Sequence, residues 1–163
     1  MRIYNILVLL LFITLSINTS AQTNIPKWKI TDLEQYIKQS DNPTIISFWA
    51  TFCKPCLEEI PYFQEAVKRY DPAGVQLLLV NLDMAEVYPK LQNFIIKRKI
   101  SAPVVFLDET NADVFCPKVD EKWSGAIPAS LLINNKTGYR KFFEDQLSRE
   151  QLKNEIRVLI AVQ

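Results

Sequence analysis

The chain has 163 residues, 48% hydrophobic and 23% charged, with 19 basic and 18 acidic side chains. That is the balance of one ordinary globular domain, and its near-zero net charge leaves no electrostatic footprint for nucleic acid. There is no histidine, which removes the commonest metal ligand and general base, and with them zinc hydrolases and Ser–His or Cys–His nucleophile pairs. Three cysteines are an odd count, a poor match to a disulfide-stapled scaffold and a better one to a redox pair plus a leftover thiol.

In chain order, Arg2 is followed by the apolar segment Ile3 to Ile17 and by Asn18-Thr19-Ser20-Ala21. A positive start, an apolar stretch of roughly 15 residues and small residues before a cleavage point read as a secretory signal peptide over residues 1–21. The mature domain is then 22–163, with a formal charge of zero once Arg2 is lost. The alternative is an uncleaved membrane anchor, for which the run is short of the about 20 apolar residues a span needs.

Asp32 to Gln39 reads as a helix with Leu33, Tyr36 and Ile37 on one face, and Asp41-Asn42-Pro43 as a turn. Thr44 to Ala50 is apolar without alternation, the pattern of a strand buried on both faces. Lys54 to Tyr70 is helical in spacing, with Pro61 removing one backbone donor inside it. Val75 to Asn81 is a second buried strand, Glu86 to Lys99 a helix and Pro103 to Leu107 a third strand. Asn111 to Val119 reads as a short helix; Ala129 to Ile133 and Tyr139 to Phe143 are strands joined by the turn Asn134 to Gly138. Ser148 caps a last helix running to about Ala161. Strand–helix units followed by a hairpin and a closing helix predict an α/β fold, a mixed central sheet flanked by helices.

Cys53-Lys54-Pro55-Cys56 lies between the first strand and its helix. Two intervening residues let both sulfurs sit on the first helical turn, close enough to form a disulfide. The unsatisfied N–H groups and positive dipole end of that turn stabilise a thiolate on Cys53. Pro55 is tolerated there because its missing donor would be unpaired anyway. A permanent structural disulfide and half of a metal site are the competing readings of the pair.

Phe48-Trp49-Ala50-Thr51-Phe52-Cys53-Lys54-Pro55-Cys56, with Glu59-Ile60-Pro61-Tyr62, resembles the active-site region of the thioredoxin superfamily, and most closely its exported TlpA/ResA-like thiol-disulfide oxidoreductases. Gly125 to Ile133 is similar to the family's cis-proline loop and following strand, and the likeness spans roughly residues 28 to 161. It implies a thioredoxin fold in which Glu86 to Asp108 form a helix–strand insertion. It also implies a redox-active Cys53–Cys56 disulfide with no other cofactor and no metal. In that scheme Cys53 attacks a substrate disulfide and Cys56 resolves the mixed disulfide. Lys54 adds a positive charge near Cys53, and Pro55 stiffens the loop and tunes redox poise. Pro128, cis in the family but otherwise an ordinary trans proline entering a strand, would set the Ile127 backbone beside the dithiol to pair with a substrate chain.

Glu59, three residues beyond Cys56, matches a glutamate that the ResA-like group uses near its active site, as a proton acceptor for the buried thiol; otherwise it is a solvated carboxylate. Ser47 departs from thioredoxins, which carry a buried aspartate there. Phe52 stands where tryptophan is common, keeping an apolar docking surface without the indole donor. Trp49 is a candidate substrate-binding residue, with core or active-site wall as the stronger alternative, and Trp123 belongs to the groove or the core. Cys116 is either a small buried hydrophobe or a regulatory thiol. The resemblance implies protein disulfide substrates, haem-attachment apocytochromes among them, and a thiol electron donor upstream in the membrane. The rival functions are a copper-binding chaperone of the same fold and an interaction module with a structural disulfide.

Overall fold

The computed structural model describes residues 25–161; the predicted signal segment lies outside them. Among the described residues, β1 (Lys27–Trp28), β2 (Thr44–Trp49), β3 (Gln76–Asn81), β4 (Val104–Leu107), β5 (Ala129–Asn134) and β6 (Tyr139–Phe143) form one sheet. Its spatial order is β1-β4-β3-β2-β5-β6. The first four strands in that order run parallel, whereas β5 is antiparallel to β2 and β6 antiparallel to β5. The helices are α1 (Ile30–Gln39), α2 (Lys54–Arg69), α3 (Tyr88–Lys97), α4 (Ala112–Val119) and α5 (Arg149–Leu159).

The central strand β2 is buried at all six positions, as its unbroken apolar run requires. Strand alternation sends Ile45 and Trp49 to one face and Ile46 and Phe48 to the other. The first face joins Leu77, Leu79 and Leu132 under α2, α3 and α5; the second joins Leu78, Val80 and Leu131 under α1 and α4. The thioredoxin-type arrangement is therefore present, and the insertion α3–β4 places its strand between β1 and β3.

The boundaries differ from expectation where backbone chemistry intervenes. β2 stops at Trp49 because the Ala50 carbonyl accepts the Cys53 N–H at 3.1 Å, closing a turn instead of continuing the ladder. The helix expected from Glu86 starts at Tyr88, after a turn in which the Val87 N–H reaches the Met84 carbonyl at 2.9 Å. It ends before Lys99, whose φ of 55° is left-handed and breaks helical geometry. α1 starts at Ile30, two residues early, because the Asp32 carboxylate accepts the Lys29 N–H at 2.7 Å. Strand β1 was not anticipated; two residues are too few to show a period, and only pairing with Phe106 and Leu107 defines it. Ser148 caps α5 as expected, its hydroxyl accepting the Gln151 N–H while Gln151 reaches back to the Ser148 N–H.

Leu79, wholly buried beneath α2, gives a direct measure of this packing. Leu79→Ala should lower unfolding free energy by about 2–5 kcal/mol in urea titration; a loss below about 1 kcal/mol would contradict a close-packed core at this point.

Candidate active site

The site is built where β2 hands over to α2. The turn Ala50–Cys53 places Cys53 at the N-cap, where its sulfur accepts the Cys56 N–H at 3.3 Å and its carbonyl accepts the Leu57 N–H at 3.1 Å. Cys53 and Cys56 are joined in a disulfide with their Cα atoms 5.3 Å apart. Cys53 is 7% exposed and Cys56 1%, so Cys53 is the less buried residue of the pair. An N–H already aimed at Cys53 Sγ and the helix dipole behind it would stabilise a thiolate at that atom on reduction.

A polar clamp holds the turn from the β3 side. The buried Asp83 carboxylate accepts the Thr51 N–H at 3.0 Å, the Thr51 hydroxyl at 2.9 Å and an Asn81 side-chain N–H at 2.8 Å. Sequence reasoning missed Asp83; its signal was the polar pair Asn81 and Asp83 at the end of an otherwise apolar strand.

Glu59 is not a solvated carboxylate: it is 1% exposed. One oxygen accepts the Leu147 N–H at 2.6 Å, and the other has no hydrogen-bond partner. Burial pushes its pKa up from 4.5 to about 7, against the lowering effect of the Leu147 N–H. Its neighbour Glu58 is exposed and lies 3.9 Å from Lys54. The position that carries an aspartate in thioredoxins is the buried Ser47 of β2, opposite Ser130 of β5. Among the described residues, Glu59 and Asp83 are the only buried acids. Glu59 lies on the dithiol helix itself, three residues beyond Cys56.

The other candidates separate into surface and core. Phe52 is 76% exposed and shares a groove with Leu82, Met84, Phe115 and Ile127 beside the dithiol. The Lys54 side chain is solvated; Pro55 is half-buried, its carbonyl accepting the Gln146 side-chain N–H at 3.3 Å. Trp49 has no exposed surface, and its ring stacks on Phe94 with centroids 6.1 Å apart. It therefore backs the site from within the core, as the stronger alternative had it, and its candidacy as a substrate-binding residue is corrected. The reason is alternation: Trp49 points under α2, while Phe52 lies beyond the strand in the turn.

The Ile127–Pro128 bond is cis. Ile127 is half-buried, and neither its N–H nor its carbonyl has a protein hydrogen-bond partner among the described residues. Trp123 is core, packed on Phe48 at 4.5 Å, and its indole N–H donates to the Ala126 carbonyl at 2.9 Å, restraining the loop before Pro128. Cys116 is free and buried; burial, with Glu144 and Asp113 nearby, pushes its thiol up to about 11, so it behaves as a small hydrophobe. Among the described residues no cluster of three histidine, cysteine or acidic side chains could hold a metal ion.

A redox disulfide at a helix N-terminus, beside a cis-proline loop on a mixed sheet, defines a thioredoxin-fold dithiol protein. The sequence profile of the AhpC/TSA family matches residues 17–138, and the chain belongs to that family as a ResA-like thiol-disulfide oxidoreductase. It is 28% identical over 137 residues to thiol-disulfide oxidoreductase ResA of Bacillus cereus, covering 81% of this chain and 74% of that protein. It is 30% identical over 118 residues to sporulation thiol-disulfide oxidoreductase A of Bacillus subtilis, covering 72% and 68%. The crystal structure of StoA from Bacillus subtilis superposes with a TM-score of 0.54 at 30% identity, covering 72% of this chain and 84% of that one. A thioredoxin-related protein from Neisseria meningitidis shares the fold with a TM-score of 0.63 at 22% identity, covering 74% and 86%.

Because its folded pKa is raised, Glu59 holds a proton between about pH 4.5 and 7 that the unfolded chain has released. Its contribution to stability is therefore present below that window and lost as pH rises through it. Allowing for solvent screening, the loss should be about 2 kcal/mol. Glu59→Gln keeps an acceptor for Leu147 and should remove this part of the slope, leaving the variant more stable than wild type at pH 7.5. Equal slopes for the two proteins in urea titrations at pH 4.5 and 7.5 would rule out the shifted carboxyl.

Proposed function

We propose that this protein is an exported thiol-disulfide oxidoreductase that reduces disulfides of periplasmic or other extracytoplasmic proteins through Cys53 and Cys56. The observation that carries this reading is the disulfide itself, with Cys53 at the α2 N-terminus as the less buried cysteine and the Cys56 N–H aimed at its sulfur.

In the reduced protein the Cys53 thiolate attacks one sulfur of a substrate disulfide, forming a mixed disulfide and expelling the other substrate sulfur as a thiolate. Cys56 then gives its proton to Glu59 and attacks Cys53 Sγ, releasing the second substrate sulfur. Two electrons have passed to the substrate, and the Cys53–Cys56 disulfide seen here is the product. The substrate chain docks in extended form against the Ile127 backbone, unpaired among the described residues, with Phe52 offering apolar contact. Lys54 and Pro55 form the solvent-facing rim of the dithiol. Substrates are disulfide proteins in general, with haem-attachment apocytochromes as one class. A membrane-bound thiol donor restores the dithiol from outside the cytoplasm. Residues 1–21 provide export, or an anchor where they are not cleaved.

Cys53→Ala should abolish reduction of a protein disulfide such as insulin, whereas Cys56→Ala should trap mixed disulfides visible on non-reducing gels; the reverse pattern would exchange the two roles. Equilibration with a dithiothreitol redox buffer should give a potential near the about −270 mV of a reductase. A value near about −120 mV would instead make the protein an oxidant.

A further inference from the structure

Between β6 and α5 the chain runs Glu144-Asp145-Gln146-Leu147, and this one segment holds both walls of the dithiol site. At its C-terminal end it is fastened to α2. The Leu147 N–H donates to Glu59 at 2.6 Å, the Leu147 carbonyl accepts the Tyr62 hydroxyl, and the Gln146 side chain donates to the Pro55 carbonyl at 3.3 Å. At its N-terminal end it is fastened to the cis-proline loop by one atom. Glu144 Oε1 accepts the Ser124 N–H at 2.8 Å, the Ala126 N–H at 3.1 Å and the Ser124 hydroxyl.

Three donors converge on one carboxylate oxygen, and charge-assisted bonds of this kind fix the backbone that supplies them. The Ser124 hydroxyl first, then the two N–H groups, hold the Glu144 carboxyl below the usual carboxylate range. The loop they restrain is awkward to form. Gly125 has a φ of +94°, open to glycine and strained for other residues, and a Cβ built there would lie 3.7 Å from Cys116 Sγ and Ala112 Cβ. Directly after these residues comes Ile127, whose N–H and carbonyl have no hydrogen-bond partner among the described residues. The loop thus spends the N–H groups of Ser124 and Ala126 on Glu144 and leaves those of Ile127 available.

We propose that Glu144 is a positioning residue for substrate docking: it gathers the Ser124 and Ala126 N–H groups and so holds the Ile127 backbone ready for an extended protein substrate. The inference rests on the docking role given to Ile127 above. Glu144 touches neither sulfur of the dithiol, so its removal should weaken binding of a polypeptide and leave the exchange chemistry intact.

The test compares full-length wild type with Glu144→Ala and Glu144→Gln on two substrates. Insulin needs the docking strand; hydroxyethyl disulfide is too small to use it. Loss of charge-assisted hydrogen bonds should raise KM for insulin about tenfold in Glu144→Ala, with kcat and the hydroxyethyl disulfide rate within about twofold of wild type. Glu144→Gln keeps an acceptor oxygen and should recover most of the loss, ending about two- to threefold above the wild-type KM. An unchanged KM in Glu144→Ala, or equal slowing on both substrates, would overturn the role. If Glu144→Ala does not fold, Glu144→Gln decides alone: a KM for insulin equal to wild type overturns it. Failure of wild type to reduce insulin while reducing hydroxyethyl disulfide would instead sink the protein-substrate reading, and this inference with it.

Discussion

The N–H of Cys56 points at the sulfur of Cys53 across 3.3 Å, and the remainder of the site follows from making that contact possible. It requires α2 to start at that residue, which requires β2 to stop and the chain to turn within Ala50–Cys53. The turn is held by the Cys53 N–H to Ala50 bond on one side and by the buried Asp83 carboxylate on the other. Both include backbone N–H groups of the turn, so the sulfurs are located by the rigid end of the buried central strand and not by a flexible loop.

The proton relay proposed for Glu59 differs from the thioredoxin arrangement. A buried serine occupies the strand position where an aspartate would act, and the carboxyl comes from the helix, as Glu59. Burial alone would push that carboxyl far toward its neutral form; the single N–H from Leu147 moderates the effect and leaves it near neutrality. The unpartnered oxygen is the cost of this tuning, since a second donor would pull the group back toward an ordinary, permanently ionised carboxylate. The Leu147 N–H belongs to the same segment that supports the cis-proline loop, so the carboxyl and that loop share one covalent support.

Local patterns in the chain were legible because they report local physics. The unbroken apolar run of β2, the Ser148–Gln151 capping box and the CxxC at a strand–helix junction each concern neighbours within a few residues, and each is found as expected. Expectation failed or left alternatives open where the deciding partner is remote. β1 exists only through β4, the fate of Trp49 depends on Phe94, and Asp83 matters only because Thr51 comes to it. Glu58 and Glu59 are adjacent and identical in type, yet one is solvated and the other buried; helical rotation of about 100° per residue separates them, and only packed neighbours say which side is inside.

The sequence by itself thus determined the fold class, the order of most elements, the family and the two sulfurs, because periodicity and a short motif encode them along the chain. Tertiary structure alone decided that Glu59 is a buried acid with a raised pKa, that Trp49 is core, that Asp83 clamps the turn and that Glu144 gathers the cis-proline loop. Those properties depend on desolvation and on hydrogen bonds between residues 18 to 88 positions apart, and no local pattern carries them.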